Sequence, residues 1–265
     1  MPRIATEATD WQAAPRRLPV GRTVFAIGDV HAHADHLWSL QEHITGIIAL
    51  ELDTTAGAVE DGAAVSVVWL GDYVDRGWQP LETLDLVAAG LGQPGVEEIR
   101  LLGNHETYLL DAVTGRDVSL PRLLNWWRFG GEETLKSLAP GARIENPEEL
   151  IAALGDSLGT ERLAFLEGLV LQHRIGDYVF VHAGLNPERP LDAQSLEDLL
   201  WIREPFLSGK DWPHPVTVVH GHTPEGPTAL DHRIGVDSGV FMSGSLSAVE
   251  LRDDRLRFIV TREEV

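Results

Sequence analysis

Five times along this chain a short apolar run ends in a glycine with an Asp, Asn or His beside it. The longest, residues 65–76, reads V-S-V-V-W-L-G-D-Y-V-D-R. The same arrangement recurs where residues 24–27 run into Gly28-Asp29-Val30-His31 and residues 99–102 into Gly103-Asn104-His105-Glu106. It appears again where residues 179–181 run into His182-Ala183-Gly184 and residues 216–219 into His220-Gly221-His222-Thr223. A near-continuous apolar run without alternation reads as a strand buried on both faces, as in a parallel sheet covered by helices. Carboxylates placed where such a strand emerges are costly unless partnered. The carboxyl ends of such strands border the clefts where α/β proteins bind ligands.

The intervening segments support that layout. Leu37, Leu40, Ile44, Ile47 and Ile48 make a helical stripe over residues 35–52 with Asp35 as cap, and residues 54–62 read as a polar loop. Pro80 opens a second helix through Ala89, with Leu81, Leu84, Leu86 and Val87 on its buried side. Strand, helix, strand, helix, strand in that order implies right-handed parallel crossovers. Residues 107–114, 120–139, 148–154 and 161–167 then read as helices, so residues 108–168 are expected to form a helical insertion over the cleft. Its cluster Trp126-Trp127-Arg128-Phe129-Gly130-Gly131 reads as packing, since large aromatics dominate core burial.

From Leu169 the pattern turns to strands: a hairpin about Gly176-Asp177, a short helix over 195–202, and strands near Val216, Ala229, 244–251 and 256–260. These are expected to form a second sheet packed on the first. Residues 1–22, with Trp11 and three prolines, read as an irregular arm, leaving residues 23–265 as one domain.

Composition narrows the chemistry. Among 265 residues there is no cysteine, which excludes disulfides, thiolate metal sites and a cysteine nucleophile. A formal net charge of -20 argues against nucleic acid and anionic membranes as partners. No stretch is long enough to span a bilayer, and residues 1–22 lack the apolar region of a secretory signal, so a cytoplasmic location is expected.

The polar residues at the strand ends are Asp29, His31, Asp72, Asp75, Asn104, His105, His182 and His222. Carboxylate, amide oxygen and imidazole together suit Mn²⁺, Fe²⁺ or Zn²⁺. They exceed what one ion needs, whereas two ions roughly 3.5–4 Å apart would use them and serve phosphate-ester hydrolysis. Arg76 and Arg203 are candidates to hold a phosphate, or else to pair with a nearby Glu or Asp. His105 beside Asp75 would make a general acid.

The motifs G-D-V-H at Gly28, G-D-Y-V-D-R-G at Gly71, G-N-H-E at Gly103, H-A-G at His182 and G-H-T at Gly221 closely resemble, in order, those of the PPP family of metallophosphatases. That family includes serine/threonine protein phosphatases and bacterial symmetrical diadenosine tetraphosphate hydrolases. The resemblance covers roughly residues 24–239 and is strongest to the compact bacterial members. It implies an α/β fold of two mixed β-sheets sandwiched between helices, and two metal ions, most often Mn²⁺. Asp29, His31 and Asp72 would hold the first, with Asp72 bridging to a second completed by Asn104, His182 and His222. His105 would be the acid with Asp75 behind it, while Arg76, Arg203 and Asn104 would face the phosphate.

The implied activity is phosphomonoester hydrolysis by direct attack of metal-bound hydroxide, on phosphoproteins (Ser/Thr, with Tyr open). A symmetrical bis(5'-nucleosyl)-tetraphosphate hydrolase shares every core motif, and the acidic composition, with few obvious cations for a polyphosphate, favours the phosphoprotein. A catalytically dead binding protein would have lost a ligand or the acid, and none is missing.

Two departures stand out. Ala32 occupies a place where the family usually has Gly, at about 1 kcal/mol if the backbone there is left-handed. His33 and His36 follow and read as solvated residues at a helix start, while His220 either braces a ligand or packs. Asp237, in V-D-S-G, either braces a ligand or forms a turn.

Overall fold

The computed structural model describes residues 3–51, 63–209 and 211–264; the loop expected over 54–62 lies outside them. The chain runs through β1 (Arg3–Ala8), β2 (Gln12–Ala13), β3 (Thr23–Ile27), α1 (Ala34–Glu51), β4 (Val65–Trp69), α2 (Pro80–Ala89) and β5 (Val96–Arg100). Four helices follow: α3 (Asn104–Thr114), α4 (Leu120–Trp126), α5 (Glu132–Leu138) and α6 (Pro147–Glu167). Next come β6 (Gln172–Ile175), β7 (Tyr178–Val181), α7 (Leu196–Trp201), β8 (Thr217–His220), β9 (Thr228–Ala229) and β10 (Arg233–Gly235). The described chain closes with α8 (Val240–Ser243), β11 (Ser247–Arg252) and β12 (Arg255–Glu264).

The strands form two mixed sheets. One has seven strands in the order β1-β12-β11-β3-β4-β5, with β2 also on β12; the other has five, in the order β6-β7-β8-β10-β9. Strand alternation divides the core. Val24, Ala26, Val68 and Leu70 face Tyr178, Phe180, Val219 and Ile234 between the sheets. Phe25, Ile27, Val67 and Trp69 point the other way, onto Leu37, Leu40, Ile44, Leu84, Val87 and Leu109 of the helices. The second sheet turns Val181 and Val218 outward onto Leu199 and Phe206. The result is helix, sheet, sheet, helix, with β3, β4 and β5 parallel so that their carboxyl ends open on one edge.

Three expectations are corrected. Residues 3–8 are not part of an irregular arm: they form an edge strand paired antiparallel with residues 259–264, and Trp11 packs under the guanidinium groups of Arg252, Arg255 and Arg257. That partner lies at the opposite end of the chain, and no local pattern announces it. The hairpin of β11 and β12 does not join the second sheet, because β11 pairs antiparallel with β3 and so enlarges the first. The single helix expected over 120–139 is broken by a π turn over Trp127–Gly131, where Gly130 takes φ 105°. By contrast, the two helices expected after residue 147 are both present within α6, each longer than expected and separated by a kink at Gly159 (φ 71°, ψ 169°). The insertion packs beside α1 and α2 and meets the cleft through Tyr108 and residues 126–134.

Candidate metal centre and active site

The site begins as a backbone problem. Among the described residues, eight non-glycine residues have positive φ, and six of them are His31 (46°), Ala32 (55°), Asp72 (53°), Asp75 (70°), Arg76 (66°) and His222 (63°). Each such residue costs on the order of 1–3 kcal/mol and persists only where its surroundings over-determine it. Ala32 therefore does adopt the left-handed conformation that would suit glycine.

The surroundings can be named. The amides of Val30 and His31 donate to Asp72 O at 3.0 and 2.9 Å, and Ala32 N donates to Tyr73 O at 2.8 Å. The fully buried Glu106 carboxylate accepts from the backbone N–H groups of Asp72, Tyr73, Val74 and Gly103 at 2.9, 2.7, 3.1 and 3.0 Å. A Cβ at Gly103 would lie 2.1 Å from Asp72 N, so glycine is what lets the two turns meet.

These turns bring the side chains together. Asp72 lies at the centre: its Oδ2 is 3.6 Å from His31 Nε2 and 3.8 Å from His105 Nε2, and its Oδ1 is 3.4 Å from His182 Nε2. Asn104 Oδ1 is 2.8 Å from both His182 Nε2 and His222 Nδ1. Two groups of potential ligand atoms result, His31-Asp72-His105 and Asp72-His182-His222, sharing Asp72.

Proton accounting separates His105 from the other imidazoles. His182 Nδ1 faces Leu70 O at 2.8 Å and His31 Nδ1 faces Val74 O at 3.1 Å; a carbonyl only accepts, so these nitrogens carry the protons. Burial holds His31 and His182 below their ordinary pKa and His222 down at about 2, which keeps the rings neutral. The Nε2 lone pairs of His31 and His182 therefore point at carboxylate and amide oxygens with no proton between them, and His222 Nε2 is buried without a hydrogen-bond partner among the described residues. Acceptors converging on acceptors is the donor set of a cation site, and neutral imidazole is the form that binds a metal. His105 differs. Burial would lower its pKa, but Asp72 and the 2.7 Å bond from Nδ1 to Asp75 Oδ2 outweigh that and raise it, favouring the imidazolium.

Asp29 stands at the margin of these groups. Its carboxylate accepts from His222 N at 3.2 and 3.0 Å and lies against Asp237, and burial pushes both carboxyl groups up. Asp237 also accepts from Gly239 N at 2.7 Å, so it forms a turn and touches Asp29 at once. Burying mutually repelling carboxyl groups beside neutral imidazoles is what a divalent cation would relieve.

The arginines flank this cluster. Arg76 lies 4.2 Å over the Phe241 ring, with Nη2 at 3.2 Å from His105 Nε2. Arg203 is exposed, its Nη2 reaching His222 O at 3.5 Å. Among the described residues no ion pair joins either arginine to a carboxylate; their guanidinium groups donate to backbone carbonyls, Arg76 to Phe129 O and Arg203 to His222 O.

The other histidines behave differently from expectation in one case. His36 is buried and bonded to Thr261 Oγ1 at 2.8 Å, not solvated. His220 packs on the Phe206 ring, with Nδ1 against Gly221 O and Nε2 against Arg233 Nη1. Sequence reading missed Trp126, Thr134 and Phe241. The first two bond Asp75, and the only available signal was the Gly130-Gly131 pair beside an aromatic cluster.

Fold and site together define a two-sheet α/β domain that carries a buried set of metal-competent donors on one edge. The chain belongs to the calcineurin-like phosphoesterase family, whose description matches residues 22–260. It is 32% identical over 164 residues to a symmetrical bis(5'-nucleosyl)-tetraphosphatase of Methylococcus capsulatus, covering 62% of this chain and 44% of that one. It is 26% identical over 203 residues to the same-named protein of Dechloromonas aromatica, covering 76% and 57%. The chain thus spans about half the length of these curated relatives. It is also 33% identical over 97 residues to serine/threonine-protein phosphatase PP1-1 of Saccharomyces cerevisiae, covering 37% and 27%. Among solved structures, a cold-active protein-tyrosine phosphatase of a Shewanella species shares the fold with a TM-score of 0.56 at 22% identity, covering 89% and 77%. No helix among the described residues is long and apolar enough to cross a membrane.

Proposed function

We propose that the protein is a dinuclear metal-dependent phosphatase that hydrolyses phosphomonoesters of phosphoproteins. The observation that carries this reading is the convergence on Asp72 of neutral imidazoles on one side and the carboxylate-bonded His105 on the other. Asp29, His31 and Asp72 would hold one ion, and Asp72, Asn104, His182 and His222 the other; the mixed N and O donors suit Mn²⁺, Fe²⁺ or Zn²⁺. When bound, such ions neutralise charge on phosphoryl oxygens and lower the pKa of water.

The chain's own residues do the rest. Arg76 and Arg203 receive the phosphoryl oxygens from two sides, and Phe241 supports the Arg76 guanidinium. His105 directs Nε2 toward Arg76 and so toward the bound phosphate, and gives its proton to the leaving oxygen. Asp75 holds Nδ1 and stabilises the imidazolium.

A second reading, symmetrical dinucleoside tetraphosphate hydrolysis, is favoured by the names of two curated relatives and by Arg128, which lines a cavity of about 400 Å³ with Arg76, Phe129 and Phe241. A polyphosphate extending from the Arg76 side would meet this second cation. The discriminating experiment uses Mn²⁺-reconstituted protein and follows phosphate release from phosphoserine, phosphothreonine and phosphotyrosine peptides beside ADP release from diadenosine tetraphosphate. Peptide turnover lost in His105→Asn supports the first reading; ADP release with little peptide turnover supports the second. Absence of metal-dependent turnover of either refutes both.

A further inference from the structure

We infer that Trp126 is a positioning residue for the proton donor, acting on His105 through Asp75; the inference rests on the proposed role of His105 as general acid. Trp126 is fully buried, and its Nε1–H donates to Asp75 Oδ2 at 2.8 Å. The same oxygen takes the His105 Nδ1 bond at 2.7 Å, while Asp75 Oδ1 is buried with no hydrogen-bond partner among the described residues. Both side-chain bonds of this carboxylate thus converge on one oxygen. The terminal torsion of an Asp side chain is broad and two-fold, so one bond to the imidazole does not by itself fix the carboxylate plane. The indole, on a packed helix, supplies the fixed second point.

The surrounding segment is built to hold that contact. Asp75 N donates to Thr134 Oγ1 at 2.9 Å, Arg76 N to Gly130 O at 2.8 Å and Arg76 Nε to Phe129 O at 3.3 Å. These bonds fall on two successive residues in the left-handed region. A Cβ at Gly131 would lie 2.4 Å from Trp126 Cδ1 and Nε1, and one at Gly130 would lie 2.4 Å from Arg76 Cγ. The glycine pair is therefore where the segment closes over the indole and the arginine. Neighbouring Trp127 has no such contact: it is half-buried at the edge of the helical core, with the Lys136 amine 6.0 Å from its ring.

The inference predicts a chemical signature and not merely lost activity. An acid matters for a poor alkoxide leaving group and little for an acidic phenol. Mn²⁺-reconstituted protein and its variants would be assayed for kcat/KM on p-nitrobenzyl phosphate and p-nitrophenyl phosphate, with thermal melts alongside. His105→Asn defines the signature, with a loss of roughly 10²–10⁴ on the benzyl ester and far less on the phenyl ester. Trp126→Phe, which keeps a smaller aromatic ring and removes the N–H, should lose about 10-fold or more on the benzyl ester and less than about threefold on the phenyl ester. Trp127→Phe should show no such discrimination. If Trp126→Phe does not fold, Gly131→Ala, whose methyl displaces the indole, should give the same signature. Equal losses on both esters, or no loss, for a folded Trp126→Phe overturn the inference, leaving Trp126 a packing residue. A flat response of His105→Asn removes the acid assignment, and the inference with it.

Discussion

Two places where distant parts of the chain are joined contrast sharply: the turn over residues 71–76, and the edge where β1 meets β12. At the turn, three non-glycine residues are left-handed, and the closure rests on a buried carboxylate, a threonine hydroxyl and backbone carbonyls. At the edge the joint is an ordinary antiparallel ladder whose Arg3–Glu264 pair is 86% and 47% exposed. The ladder is unstrained and redundant, since each bond is one of several alike. The turn is strained and singular, because each bond compensates a particular conformation. Strain is thus concentrated where the proposed ligands and acid would be aimed, and robustness is kept for the periphery.

The largest expected effect comes from removing the metal. Chelation should abolish phosphatase turnover, and adding Mn²⁺ back should raise the melting temperature in a concentration-dependent way, by about 2.7 kcal/mol of stability at 100-fold excess over Kd. A melting temperature indifferent to Mn²⁺ would mean that the buried Asp29, Asp72 and imidazole cluster is balanced without a cation. Next in size, Glu106→Ala should destabilise by more than about 3 kcal/mol in a urea titration, because it leaves four backbone donors without their acceptor. Loss of stability without loss of metal binding would show that the turn aims its ligands unaided.

A smaller effect concerns pH. Burial lowers the pKa of His36 and His232 and brings that of His220 down to about 3. The unfolded chain then takes up these protons first, so the stability that they support is present above about pH 6.5 and is lost as pH falls below it. Buried Asp29, Glu106 and Asp237, whose pKa values burial raises, titrate in the same window with the opposite sign, so the loss is read as a difference. Between pH 8 and pH 5 the urea midpoint of metal-free protein should fall more, or rise less, than that of its His36→Gln variant, and identical profiles would contradict the burial of this ring. Smaller again, Ala32→Gly should stabilise by up to about 1 kcal/mol, since glycine relieves the left-handed strain, less the entropy that it adds to the unfolded chain. At the edge, Arg3→Ala should change stability by no more than about 0.5 kcal/mol. A larger change there would bring the two joints closer in kind than the structure makes them.

What could be read from the sequence follows the same division. The apolar runs before Gly28, Gly71, Gly103, His182 and Gly221 are strong local signals, and strand, turn and candidate ligand could be placed from them together. The destination of residues 3–8 could not, because its partner lies some 250 residues away and an exposed ladder needs no apolar pattern. The placement of β11 beside β3 was hidden for the same reason: a hairpin announces its own pairing and not the third strand that it joins. Trp126 was legible as a buried aromatic and illegible as a hydrogen-bond donor, since its acceptor is 51 residues earlier. His36 looked exposed at its helix start because nothing local reveals the strand over it.

The spacing of the proposed ligand side chains also bears on the order of events as the chain folds. Asp29 and His222 are 193 positions apart and are joined directly, through the His222 amide. Contacts of that separation close late, after the loop-closure entropy between them has been overcome. Competence to bind a metal should accordingly be among the last properties acquired on refolding, so that Mn²⁺ uptake would report completion and not nucleation, and the ion would slow unfolding more than it speeds folding.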